Sequence, residues 1–326
     1  MNQPIVVLGA SGFIGRAVAA ELLRTDWAHT ILGVRRRMNA TGAYPAPEQR
    51  IIEATSVKSL SAAVQDAAAV VHCVAGDART MVASASALVE ATAHRSPPPR
   101  IIYLSSMAVY GSAEGTLDES APLRGDIGPY SQAKVAAEAI IARHPRAVIL
   151  RPGCVFGPGS EQWSIRMARL LLARRLGDLG AAGDGCCNLV HIDDVVRAIL
   201  RCIAGTDTDG RIFNLSAAAP TWNEFLTAYA LALRAVPVRR ISARRLRLET
   251  KLLAPPLKVA EILARAGGVA ARHLPPPIPP SLVRLMGQDI RLDSRAAETA
   301  LGIRWKDATS SIDGTAQWFA QQYRSG

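Results

Sequence analysis

The chain has 326 residues, beyond the usual single-domain size, so one large α/β domain with a smaller companion is the natural expectation. Its net charge of +11 is carried almost wholly by arginine, 33 residues against 5 lysines, and with aromatics at only 5% the interleaved basic and aromatic side chains of a nucleic-acid surface are not expected. No apolar run approaches the roughly 18–20 residues of a membrane span, and the opening MNQPIVVLGASG reads as a strand, not a signal peptide. Five cysteines (Cys73, Cys154, Cys186, Cys187, Cys202) without a CxxC pair or a rhythm with histidine point away from a disulfide framework or a metal site. The expectation is a soluble, cytoplasmic protein with reduced thiols and a small-molecule ligand, for which an anion fits the charge.

IVVLGA (5–10) reads as a first strand that runs directly into 9-GASGFIG-15 and an amphipathic helix over 14–24. Gly9 permits a tight turn, Gly12 lets the backbone approach a pyrophosphate, and Gly15 allows close helix-to-strand packing. The helix N-terminus then offers free N–H groups and partial positive charge to phosphates. A glycine trio is also an ordinary strand-to-helix turn; its place between an N-terminal strand and a helix is what points to a dinucleotide. A second strand, TILGVR (30–35), ends in 34-VRRR-37. An acid there would accept hydrogen bonds from an adenosine ribose and repel a 2′-phosphate. Arg35, with Arg36 or Arg37, can instead pair with a 2′-phosphate, which favours NADP(H) and leaves NAD(H) as the alternative. In an arginine-rich chain, three arginines facing solvent are the plainer reading. Glu53 is a candidate adenine contact or, more simply, an exposed strand-end carboxylate.

AAVVHCVAG (68–76), RIIYLSS (100–106) and RAVILRP (146–152) continue the strand pattern, with helical spacing over 81–93 and 129–143 between them. Such alternation implies right-handed crossovers and a parallel sheet covered on both faces, a doubly wound α/β fold. Beyond about residue 155 the pattern loosens: 163–176 reads as a helix, 189–203 as a strand end feeding a helix, 212–216 as a short strand, and 222–273 as mainly helical and arginine-rich. The following 275-PPPIPP-280 must be extended, because proline fixes φ and lacks an N–H. The expected division is a dinucleotide-binding domain over 1–155, with 186–216 returning to it, and a mainly substrate-binding domain over 156–326.

In 130-YSQAK-134 the tyrosine and lysine stand four apart, on one helix face. A neighbouring ammonium favours phenolate, turning a weak acid into a usable proton donor or acceptor near neutral pH. Alone this spacing is usually a solvated helix face. Upstream, RIIYLSS ends with Ser105 and Ser106 where a parallel sheet binds its ligands, so a hydroxyl there could hold a carbonyl oxygen.

GASGFIG, SSMAVYG, YSQAK, RPGCVFGPG and VHIDD, in that order over residues 5 to about 200, together resemble the extended short-chain dehydrogenase/reductase family, which includes epimerase/dehydratase-like enzymes; 289-DIRLDSRAAETALGIRW-305 adds a weaker likeness. The resemblance implies a Rossmann domain with a smaller, mainly helical C-terminal substrate domain and a nicotinamide cofactor. It further implies Tyr130 as acid/base, Lys134 binding the nicotinamide ribose and lowering the tyrosine pKa, and Ser106 orienting the substrate oxygen. Cofactor contacts are expected from Gly9, Ser11, Gly12, Phe13, Ile14, Gly15, Arg35, Arg36, Tyr130, Lys134, Pro152 and Val155. A homodimer through a helix pair that includes 130–143 is the family-like expectation. No metal is implied, and His191 with Asp193 and Asp194 is expected to tie the domains together, with an Asp193 contact near the site as a variant of that reading.

Three departures bear on substrate. Dehydratases of this kind carry an acidic pair where this chain has Met107 and Ala108, which disfavours elimination of water. Nucleotide-sugar members tend to have asparagine near Cys154 and a longer, Asn-Val-led segment where this chain has Met81-Val82. The stretch from Arg234 to Arg247 with the apolar 252–270 reads as a lid over an apolar substrate, an arginine clamp for a diphosphate, an interfacial helix at an anionic membrane, or a solvated helix pair. The leading reading is an NADP(H)-dependent oxidoreductase interconverting a secondary alcohol and a ketone. Alternatives are a nucleotide-sugar 4-epimerase or 4-ketoreductase and a non-catalytic NADP-binding regulator.

Overall fold

A computed structural model of the chain describes residues 2–37, 47–205, 207–266 and 275–323. The first half runs β1 (Gln3–Leu8), α1 (Phe13–Leu22), β2 (Ala28–Val34), β3 (Glu48–Ile51), α2 (Val57–Val64), β4 (Ala69–His72), α3 (Ala78–Thr92), β5 (Arg100–Leu104), β6 (Gly115–Leu117), α4 (Pro129–Ile141) and β7 (Ala147–Pro152). The second half runs β8 (Cys154–Phe156), α5 (Arg166–Leu172), β9 (Leu189–His191), α6 (Ile192–Ala204), β10 (Ile212–Leu215), α7 (Trp222–Ala232), α8 (Ala243–Leu248), α9 (Ala254–Ala266), α10 (Pro280–Met286), β11 (Ile290–Leu292), α11 (Arg295–Leu301) and α12 (Ala308–Tyr323).

The apolar runs become strands buried on both faces: Ile5, Val6, Val7 and Leu8 are all sealed from water, as a continuous hydrophobic run in a parallel sheet must be. Seven strands form one parallel sheet in the order β3-β2-β1-β4-β5-β7-β10. Helices α1, α6 and α11 cover one face through Val18, Leu22, Val195, Ile199 and Leu301, and α2, α3 and α4 cover the other through Leu60, Val64, Leu88 and Ile141. This is the Rossmann-type, doubly wound architecture. The direction of strand addition reverses between β1 and β4, which opens a crevice at the carboxyl ends of those strands.

A separate core lies beyond the sheet. Leu170 of α5, Trp222, Phe225 and Tyr229 of α7, Met286 of α10 and Phe319 of α12 pack together, with Phe225 and Tyr229 stacked at 5.8 Å. Helix α7 is started by a reciprocal cap between Thr221 and Glu224. Small two-stranded pairings, β8 with β9 and β6 with β11, complete this side; Asn188 fixes β11 by donating to Ile290 O (2.7 Å) and accepting from Leu292 N (2.8 Å).

Two elements lie outside the expected pattern. Strand β3 is EQRI, polar because it is a sheet edge, where Arg50 pairs with Glu48 and Asp66. Helix α2 follows it, capped by Ser56. The helix expected over 163–176 is a wide turn, Glu161–Ile165, followed by α5, and the chain leaves it through Arg174 in the left-handed region (φ 55). Of the helical 222–273 stretch, 267–273 lies outside the described residues.

Helix α4 is tied to β7 by a buried ion pair. Arg151 and Glu138 are each 3% exposed, with Nη2 2.7 Å from Oε2, and the guanidinium also donates to the Tyr110 hydroxyl and Glu119 O, both at 3.0 Å. Removing one partner leaves the other charge buried and uncompensated. Glu138→Ala is therefore expected to cost about 3–5 kcal/mol in unfolding free energy. Denaturant titration measures it, and Glu138→Leu combined with Arg151→Met should recover much of the loss.

Candidate active site

The crevice is built from the ends of β1, β4 and β5 and the first turns of α1 and α4. Gly9 takes φ +76, and a Cβ there would stand 2.8 Å from Cys73 O at the end of β4. A Cβ on Gly15 would fall 2.3 Å from Gly9 O, so α1 can approach the loop this closely only with glycine. Gly12 caps α1 without a side-chain bond, and Ser11 beside it is exposed. The donors there are backbone N–H groups at a helix N-terminus, behind a loop that two side chains would fill, and this cradle suits a dinucleotide pyrophosphate. Phe13 and Ile14 turn partly inward onto the sheet core, and Phe13 lies 3.8 Å from where a Gly159 Cβ would stand. The glycine loop and the 157–159 turn therefore meet.

Arg35 and Arg36 are exposed at the carboxyl end of β2, the strand next to β1. Glu53 accepts from Thr55 N (3.3 Å) and Thr55 Oγ1 (2.8 Å), a local turn. Pro152 ends β7 and Val155 lies in β8; both are buried.

Ser106 ends the extended run of β5 and caps the short helix Met107–Tyr110, accepting from Ala108 N at 3.2 Å. Tyr130 stands in the first turn of α4, which opens with Gly128 (φ 136) and Pro129 and is held to the same loop by Ser131 Oγ donating to Ala108 O at 2.6 Å. The phenol of Tyr130 lies within the influence of the Ser106 side chain, which holds its pKa down against burial, while the residue as a whole is 49% exposed. Ser105, by contrast, is buried and its hydroxyl has no partner among the described residues. The structure thus brings Ser106, and not Ser105, to the tyrosine.

Lys134 follows one turn below and is buried, its Nζ donating to Leu104 O at 2.6 Å, 5.1 Å from the Tyr103 ring and 5.9 Å from the Tyr130 ring. Burial of the phenol raises the Tyr130 pKa, and the Ser106 side chain opposes that rise. Burial also pushes the Lys134 pKa down to about 8, against the charge of Glu138. Nearby, His72 is pushed down to about 3 by burial and by Lys134, and burial pushes the Cys73 thiol up to about 12.

Sequence reasoning missed the polar support beneath these groups. Glu138 continues the Tyr130–Lys134 face by one more turn and pairs with Arg151; Tyr110 links Arg151 to Asn214 Oδ1 at 2.7 Å. The signal for Glu138 was its further spacing of four, but nothing local marked Arg151 as its partner. Asp193 pairs with Lys306, and Asp194, fully buried, accepts from Arg197 (2.8 Å) and Lys306 N (3.1 Å). Among the described residues no group of His, Cys, Asp and Glu is arranged to hold a metal.

Residues 5–216 match the model of the NAD dependent epimerase/dehydratase family. The chain belongs to this family. Protein YeeZ of Escherichia coli K12 is 33% identical over 150 residues, 45% of this chain and 50% of that protein, so the chain spans about half the length of the curated relatives it matches. In solved structures the fold extends across the whole epimerase/dehydratase chain. The dTDP-glucose 4,6-dehydratase of Bacillus anthracis in complex with NAD superposes with a TM-score of 0.73 at 16% identity, covering 99% of this chain and 98% of that one. UDP-glucuronic acid 4-epimerase from Bacillus cereus in complex with NAD gives 0.73 at 17% identity over 99% and 98%. UDP-glucose 4-epimerase from Thermotoga maritima gives 0.73 at 17% identity over 98% and 99%.

The depressed lysine has a measurable consequence. The unfolded chain binds its Lys134 proton with the ordinary affinity near ~10.4, and the folded chain with one near 8. Between those values the unfolded state holds more protons, so this residue makes stability rise with pH from about 8 to ~10.4. The difference in unfolding free energy between wild type and Lys134→Met should rise across that window. A flat difference would show that the ammonium is not buried.

Proposed function

We propose that this epimerase/dehydratase family member is an NADP(H)-dependent oxidoreductase interconverting a secondary alcohol and a ketone on a small organic substrate. The observation that carries the reading is the meeting of the Tyr130 and Ser106 hydroxyls at the carboxyl edge of the sheet, above a buried Lys134 and beside the glycine cradle. A bound nicotinamide cofactor supplies hydride exchange at carbon. Tyr130 then gives its proton to the substrate oxygen in reduction, or takes it in oxidation. Ser106 donates to the same oxygen as negative charge grows on it. The phenolate left by reduction is supported by Ser106, and its half-exposed ring lets water return the proton. Arg35 and Arg36 would hold a 2′-phosphate at the end of β2, which supports NADP(H); NAD, present in the solved relatives, is the alternative.

A second reading, a nucleotide-sugar 4-epimerase or 4-ketoreductase, is supported by the reach of the fold match across the substrate side of enzymes described as acting on nucleotide sugars. Elimination of water fits neither, since Met107 is packed against Ile290 and Leu292 and Ala108 offers no acid.

NADPH should raise the melting temperature more than NADH at equal concentration, and Arg35→Ala should weaken NADPH by roughly tenfold, the worth of a charged hydrogen bond. The reverse order of cofactors would assign NAD(H). Tyr130→Phe should lower kcat by about 10²–10⁴ while cofactor affinity is kept. Turnover of a nucleotide sugar with no net change in nicotinamide absorbance would select the epimerase.

A further inference from the structure

We propose that the segment α8–α9 is a docking surface for an anionic phospholipid bilayer, on which the protein lies peripherally. This goes beyond the proposed chemistry and does not depend on it. Twelve large apolar side chains are exposed among the described residues, and six of them fall between 248 and 263: Leu248 (48%), Leu252 (64%), Leu253 (42%), Val259 (56%), Ile262 (55%) and Leu263 (66%). Val259, Ile262 and Leu263 stand three and four residues apart and share one face of α9, and Leu248, Leu252 and Leu253 are exposed at the end of α8 and on the wide turn Glu249–Leu253 that leads into it. Soluble surfaces carry apolar side chains singly; a contiguous run marks something that covers it.

The opposite face is fixed to the protein. Leu246, Glu249, Thr250 and Ala254 are buried, and Glu249 pairs with Arg175, whose Nη1 also donates to Pro276 O at 2.9 Å. Leu248, Leu252 and Leu253 are therefore turned outward where the segment is anchored, and α9 leaves from that anchor. Around it stand exposed Arg244, Arg247, Lys251 and Lys258, and residues 243–263 carry five basic residues against two acidic, one of which is the inward Glu249.

This charge selects the occupant. A second copy docking through the same face would set cation against cation, in a chain already at +11. Anionic headgroups complement the basic flanks while the stripe enters the acyl boundary, the arrangement of an interfacial amphipathic helix. No helix among the described residues is long and apolar enough to cross a membrane, and α9 has 13 residues, so the segment lies in the surface plane.

The test is sedimentation of the full chain with vesicles of phosphatidylcholine alone or mixed with phosphatidylglycerol. Binding to the mixed vesicles, released by high salt, is expected. Leu252→Asp with Val259→Asp and Leu263→Asp should abolish it with the melting temperature kept. Arg247→Gln with Lys251→Gln should weaken it by roughly 30-fold, about fivefold for each cation near the surface. Absence of binding at low salt, equal binding to phosphatidylcholine alone, or unaltered binding by both variants would overturn the proposal. So would a wild-type dimer that the aspartate variant splits and that ignores vesicles, since the covering partner would then be a second copy.

Discussion

The carboxyl edge of the sheet is organised around an ammonium held out of water. Lys134 is 5% exposed, and its hydrogen bond to Leu104 O, the face of Tyr103 and the charge of Glu138 together offset the cost of burying it. Glu138 is in turn neutralised by Arg151, which is saturated by Tyr110 and Glu119 O. The three charges alternate in sign and come from α4 and β7, with β5 supplying the carbonyl. Sliding α4 along the sheet would break every link at once, so Tyr130 is placed by electrostatics one and two turns away from it. His72 and Cys73 stay neutral at ordinary pH, one pushed down and the other pushed up, and leave Lys134 uncontested.

The glycine loop depends on the same edge from the other side. Gly9 can lie against Cys73 O and Gly15 against Gly9 O because neither carries a Cβ, and this brings the N-terminus of α1 over the switch point between β1 and β4. Cys73 belongs to both halves: its carbonyl abuts the loop, and its thiol is coupled to Lys134. The glycine loop and the surroundings of Lys134 thus meet at the end of one strand.

How far the sequence spoke for itself follows from the range of each constraint. The glycine loop and the Tyr130–Lys134 face were legible because turn geometry and helical spacing are local, whereas the choice of Ser106 over Ser105 came only from the family resemblance. The buried strands were legible because a parallel sheet tolerates only continuous apolar runs. Strand β3 was not, since EQRI is shaped by an edge position that no local pattern announces, and the Glu138–Arg151 pair joins residues whose neighbourhood exists only in the fold. Spacing placed Tyr130 and Lys134 on one face, but nothing local announced that the lysine Nζ would donate to Leu104 O.

The two cores divide the labour unequally. Ser106, Tyr130, Lys134 and the glycine loop all come from the sheet half, whereas Trp222, Phe225, Tyr229 and Phe319 build an independent aromatic core beyond it. Helix α8 adds Leu246 to that second core, which α5, α7, α10 and α12 otherwise build, whereas no side chain of α9 enters it among the described residues. Helix α9 nonetheless carries an apolar stripe, and the buried Glu249–Arg175 pair holds the segment in a fixed pose. An ion pair of 5% and 11% exposure is costly to assemble, and its benefit here is orientation: it fixes which face of the helix looks out. A helix that served only to cover the core would turn its leucines the other way.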